Sequence, residues 1–164
     1  MAAEPEQDLL SSIEGGQAPR RILEFAARGF LPLPPGDLVR AIASIVVLHD
    51  AELSPLAEET FRSFDLPALL SAVGSDGVRP EQIDAIARRS EDPRLLEPII
   101  RHRSVPDDTL AWLAERIPPN LQDVLVTNQA RLLSAPVIVE RLFENPQLST
   151  DIRARGKEMA DLVD

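Results

Sequence analysis

The residues of this chain best suited to recognition chemistry are one tryptophan and a run of arginines. Trp112 is the only tryptophan among 164 residues, and Arg79, Arg88, Arg89, Arg94, Arg101 and Arg103 gather with His102 within a stretch of 25. An indole offers a broad apolar face with one N–H donor, whereas guanidinium groups pair with carboxylates and phosphates through a planar fork. Glu81, Asp84, Glu91, Asp92 and Glu97 share the arginine stretch and reduce its net charge to +1. Glu97 stands three residues after Arg94 and four before Arg101, the spacing of helical ion pairs. The stretch therefore reads as a self-paired, solvated face, with an acidic or phosphorylated partner as the functional alternative. The positions one repeat away from Trp112 are Ala85 and Glu140. A position that accepts glutamate is not deep core, so Trp112 is expected to be partly exposed. It then either anchors a partner or lies flat over aliphatic neighbours with its N–H in water. Trp112, Arg88, Arg89, Arg94, Arg101 and Arg103 are the candidate partner-binding residues.

Residues arranged for catalysis are harder to find. His49-Asp50 is the only His-Asp doublet and His102 the only other histidine. That is too few ligands for a metal-dependent phosphohydrolase, and His49 reads as a turn residue at a helix end. The absence of cysteine excludes disulfides, thiolate metal sites and cysteine nucleophiles. There is no Gly-x-Ser-x-Gly elbow. Gly15-Gly16 is followed by Gln17-Ala18-Pro19 and lacks the lysine and hydroxyl of a phosphate loop. The carboxylate pairs Glu58-Glu59, Glu91-Asp92 and Asp107-Asp108 suit helix starts or exposed faces better than a calcium site. The expectation is a non-enzymatic protein with no cofactor and no metal.

The elements that would carry these residues are set by an internal repeat. Pro67-Ala68-Leu69, Pro93-Arg94-Leu95, Pro119-Asn120-Leu121 and Pro146-Gln147-Leu148 recur at intervals of 26, 26 and 27 residues. Six residues after each proline comes Val73, Ile99, Leu125 or Ile152. A second series, Val78, Val105 and Leu133, is followed five residues later by Ile83, Leu110 and Ile138. Apolar residues within these stretches step by three and four, which is helical spacing. A unit of this length holds two short helices and their turns. Helices so short are unstable alone, because nucleation is costly and one apolar face has nothing to cover it. The predicted fold is therefore all-α, an α-solenoid in which helix pairs of about 26-residue period stack and bury each other's faces.

Before Pro67, a helix over Pro19–Arg28 is stopped by Gly29, with Ile22, Leu23, Phe25 and Ala26 as its buried face. Leu31–Pro35 then forms an extended turn. Asp37 caps an apolar helix ending near Leu48, and Ser54 or Pro55 opens a partner running to about Phe64. Residues 1–17, acidic and closing on Gly15-Gly16, read as a disordered tail, leaving 18–164 as the repeat domain. In the last helix, from Thr150 to about Val163, Ile152, Gly156, Met159 and Val163 share one stripe. That stripe packs on the preceding helix or forms a partner surface.

Composition agrees with helix: aromatics are 4% and tyrosine is absent, which argues against an all-β fold. The net charge of −10 repels phosphate backbones and anionic lipid. Met1–Leu10 lacks the basic and apolar regions of a secretory signal, and Ala41–Leu48 is too short to span a bilayer. A cytoplasmic location with no membrane association is expected.

The Pro-x-Leu units resemble bacterial leucine-rich-repeat-variant arrays, in which short helices alternate in a solenoid. Asp37–Phe64, with Asp50-Ala51-Glu52-Leu53 at its turn, resembles a HEAT repeat. Together with the segments Ala27–Pro35 and Asn128–Leu133, residues 19–164 resemble bacterial HEAT-like repeat proteins. The resemblance implies a scaffold and carries over no catalytic residue. It makes a protein-binding adaptor the leading expectation. The alternative is a HEAT-like protein that binds DNA or excises damaged bases, which the net charge disfavours. A structural subunit that oligomerises through its ends is a third reading.

Overall fold

Proline recurs at helix starts because its fixed φ suits the first turn and its missing N–H would have had no intrahelical partner there. The computed structural model describes residues 5–163, with side chains from Leu9 onward except those of Gly156, Met159, Ala160 and Val163. It is all-helical, with no strand among the described residues. The helices are α1 (Pro5–Glu14), α2 (Arg20–Ala27), α3 (Pro35–Val46), α4 (Leu53–Phe61), α5 (Leu66–Val73), α6 (Pro80–Arg88), α7 (Pro93–Arg101), α8 (Asp107–Ala114), α9 (Pro119–Thr127), α10 (Gln129–Ser134), α11 (Val137–Phe143) and α12 (Thr150–Val163). Pro35, Pro67, Pro93 and Pro119 occupy the first or second position of α3, α5, α7 and α9. Side-chain caps add to the punctuation: Asp65 accepts from the Ala68 N–H, Asp92 from Arg94 and Asn128 from Arg131. No described helix is long and apolar enough to cross a membrane.

The chain divides into two compact units, residues 1–86 and 87–164. In the first, α3 is the centre and packs against α1, α2, α4 and α5. Val39, Ala41, Ile42, Ala43 and Ile45 are all fully buried, as expected of a helix apolar on most of its faces. Gly36 allows α3 to approach α5 closely: a Cβ there would meet the Ser71 Cβ at 2.9 Å and the Ala72 backbone nitrogen at 3.2 Å.

Within residues 1–17, whose composition predicts a disordered tail, the described residues begin with a helix. Pro5–Glu14 form α1, which buries Leu10 and Ile13 against this unit. Its last carboxylate, Glu14, meets a buried polar cluster. Arg40 donates to it from Nε at 3.1 Å and from Nη2 at 3.0 and 2.9 Å. Gln82 Nε2 also donates to Glu14 and reaches the Arg40 carbonyl and Ser44 Oγ. Partners of opposite charge thus hold a segment whose acidity, taken alone, suggests solvation.

Two other local expectations change, and a third holds. Asp37 lies in the first turn of α3, where it meets the positive helix end, while Pro34 holds the cap position. Phe25 is 42% exposed, and Ala26 and Ala27 are the buried residues of α2. Gly29 does terminate that region, with φ of +78°, a conformation that costs glycine little.

In the second unit α9 packs against both α7 and α12, and α8 packs against α11. Val73, Ile99, Leu125 and Ile152, the residues six beyond each repeat proline, are all buried, as are Ile83, Leu110 and Ile138. The repeat loosens at its end. The short α10 intervenes before α11, Leu133 turns outward at 39% exposed, and neighbouring Leu132 is buried instead. Pro146 lies in the turn ahead of α12 and does not open that helix. Within the last stripe Ile152 is buried, while the side chains of Gly156, Met159 and Val163 lie outside those described.

Buried amides tie this unit's turns together. Asn145 Nδ2 donates to the Ala114 and Ile117 carbonyls at 2.9 and 2.8 Å. Gln122 Nε2 donates to the Ile117 and Gln147 carbonyls. Asn145 thus satisfies the last carbonyl of α8, and both amides satisfy carbonyls in turns.

Candidate functional site

Trp112 lies within α8, beside the core face held by Leu110, Leu113 and Ala114. Its side chain is half-buried. The Arg116 guanidinium carbon lies over the indole at 4.1 Å from the ring centroid, and that of Arg88, at the end of α6, at 5.2 Å. Both separations are within the range of cation–π attraction. Arginine thus lies against the indole, with Leu96, Leu113 and Ile117 lining the same cavity.

These groups line a cavity of about 750 Å³, together with Arg89, Ser90 and Glu91. Leu96, Leu113, Ile117 and Pro118 form its apolar wall. All of these residues belong to the second unit. Its charged lining residues are Arg88, Arg89, Arg116 and Glu91.

Arg116 is the residue that the sequence reading missed. The signal was present: it stands four residues after Trp112, where a helix, or a turn prolonging one, brings side chains together. Its Nη1 also donates to the Trp112 carbonyl and, at 3.1 Å, to Glu115. Glu115 in turn receives Arg141. The hydrogen bond from Arg141 holds the Glu115 carboxyl below its ordinary pKa, and Arg141 is correspondingly raised. A carboxylate clasped by two arginines thus stands beside the cavity.

The other predicted arginines are placed elsewhere. Arg94 pairs with Asp92 at 2.8 Å and lowers its pKa, instead of pairing with Glu97. Arg101 pairs with Glu97 at 3.2 Å, as their four-residue spacing predicts. Arg103 is exposed and is not among the residues lining the cavity. Arg79 belongs to the first unit, where it donates to the Glu14 carbonyl at 2.9 Å. Of the arginine group, the structure brings only Arg88 and Arg89 to Trp112.

The histidines take local roles. His49 follows α3 in a left-handed conformation, φ 55°. His102 ends α7, and its Nδ1 accepts from the Ser104 N–H at 3.0 Å. Asp50 accepts from Arg20 and from the backbone N–H groups of Leu53 and Glu52. These bonds, led by that from Arg20, hold its carboxyl well below the usual range. Among the described residues no three histidine or carboxylate side chains gather as a metal-binding group. No protein-family model, curated protein or solved structure matches this chain.

Proposed function

We propose that this protein is a cytoplasmic, non-enzymatic adaptor of HEAT-like α-solenoid type, which binds a protein partner through the cavity at Trp112. Short helix pairs opened by proline at a near-constant interval support the solenoid. So does the layering of the second unit, where α9 contacts α7 and α12 while α8 contacts α11. The observation that carries the binding role is Trp112, half-buried at a cavity of about 750 Å³ with Arg88 and Arg116 against its ring. Tryptophan and arginine are among the side chains most enriched at energetic centres of interfaces, tryptophan for its large rigid face and arginine for its planar donor fork.

A nucleic-acid reading has one point in its favour, since bases also stack on indole and guanidinium faces. The net charge of −10 weighs against it, because phosphate contact supplies most non-specific affinity. Affinity capture with the intact protein and with Trp112→Ala tests the adaptor. Loss of the same partner from the variant supports it; indistinguishable captured sets refute it. A salt-sensitive mobility shift of duplex DNA at micromolar protein would favour the nucleic-acid reading instead.

A further inference from the structure

We infer that the face of α3 on which α1 rests, together with Arg40, Arg79 and Gln82, is a docking site for an amphipathic helix that ends in a carboxylate. α1 fills the site from within the chain, and a partner's helix with the same pattern of leucine, isoleucine and glutamate displaces it. The inference concerns the first unit and stands apart from the reading of Trp112, so either can fail alone.

Recognition at this site is concentrated on a single residue. Arg40 Nε and Nη2 and Gln82 Nε2 donate to the Glu14 carboxylate, and Arg79 Nη1 donates to the Glu14 carbonyl at 2.9 Å. A carboxylate and the last carbonyl of a helix are thus read together, which specifies an acidic residue at a helix C-terminus. Leu10 and Ile13 are the buried apolar residues among the described side chains of α1. The recognised pattern is therefore Leu-x-x-Ile-Glu.

The donors are braced by bonds that do not involve α1. Arg40 Nη2 also donates to the Gly77 carbonyl at 2.9 Å. Gln82, fully buried, reaches the Arg40 carbonyl and Ser44 Oγ through Nε2, and its Oε1 accepts from the Arg79 N–H at 2.8 Å. A donor set held in this way loses little freedom on taking a ligand. Left empty, it would hold a desolvated guanidinium without its carboxylate, so exchange of one carboxylate-bearing helix for another is favoured over vacancy. α1 is also suited to exchange. It has ten residues, too few for a stable helix in water, and it packs chiefly on α3. Its link to α2 runs through Gly15-Gly16, where Gly16 has φ of +74° and nothing stands within 4 Å of the position of a Cβ.

The test uses the full-length protein and, as probe, a fluorescein-labelled, amidated peptide with the sequence of residues 5–17, followed by fluorescence anisotropy. In the wild-type chain α1 competes with the probe from the same molecule, at an effective concentration of about millimolar, so weak binding is expected. Glu14→Ala, checked for cooperative unfolding, should bind the probe at least about tenfold more tightly than wild type, because its own helix no longer satisfies Arg40. A probe with glutamine in place of that glutamate should bind the same variant about tenfold more weakly. Native-state hydrogen exchange of the wild type needs no variant: the α1 amides should exchange at least about tenfold faster than those of α3.

Equal binding of the probe by wild type and Glu14→Ala, or equal binding of the glutamate and glutamine probes, would overturn the inference. So would α1 amides that exchange only together with those of α3, which would make α1 an inseparable part of the unit. A wild-type dimer in light scattering that the unlabelled peptide dissociates would assign the site to α1 of a second copy and overturn the claim of a partner's helix.

Discussion

Glu14→Ala is the substitution that most directly probes how the N-terminal helix is held. The Glu14 side chain is 4% exposed and that of Arg40 11%. The carboxylate takes three contacts from Arg40 and one from Gln82. Its removal leaves Arg40 donating to the Gly77 carbonyl at 2.9 Å. Breaking a buried pair by deleting one partner costs about 3–5 kcal/mol, because the surviving charge stays desolvated. Arg40 is not wholly enclosed and can turn partly toward water, which puts the expected loss near the lower end, about 3 kcal/mol. That is a large part of the stability of an ordinary small domain.

Urea denaturation followed by circular dichroism measures the loss, and hydrogen exchange of the α1 and α3 amides localises it. The double variant Glu14→Ala/Arg40→Met removes both charges and should lose at least about 1 kcal/mol less than the two single variants added together. A loss under about 1 kcal/mol for Glu14→Ala, within the range of an exposed pair, would refute the buried clasp. Additive single variants would refute the pairing.

Two further outcomes follow from local geometry. Gly36→Ala should destabilise the first unit by about 1–3 kcal/mol, although alanine is the better helix former, because its Cβ would come within 3.2 Å of the Ala72 backbone nitrogen; an unchanged or raised melting temperature would refute the close α3–α5 approach. Asp50, Asp92 and Glu115 all have carboxyl pKa values lowered in the folded protein, chiefly by Arg20, Arg94 and Arg141. The unfolded chain then takes up protons first, at about pH 4. The stability these groups contribute is full above that range and lost as pH falls through their folded values. Denaturation midpoints should stay level from neutral pH to about 5 and fall below it, whereas a rise on acidification would contradict the pairings.

Much of the local order was legible in sequence because prolines and apolar spacing act over a few residues. The prolines of the repeat mark the starts of α5, α7 and α9, and the apolar residue six positions beyond each is buried. Gly29 stops its helix, and Glu97–Arg101 pair as their spacing requires. The candidate site was half legible. Trp112 stood out as a singleton, but the arginines that meet it are Arg88, Arg89 and Arg116, whereas Arg94 and Arg101 turn to nearby carboxylates.

Long-range contact decided the rest. Acidic composition made residues 1–17 look like a solvated tail, yet Arg40 and Gln82, far along the chain, supply partners that let α1 dock. Gln122 and Asn145 look like surface residues by type, and only folding brings the Ile117 carbonyl, which both of them bond, within their reach. Periodicity determines which residues want shelter from water; the donor, acceptor or opposite charge that makes burial of a polar group tolerable comes from another part of the chain. Sequence alone therefore determined the starts of α5, α7 and α9 and the apolar residue each buries, and tertiary structure decided which charged and polar side chains could join them inside.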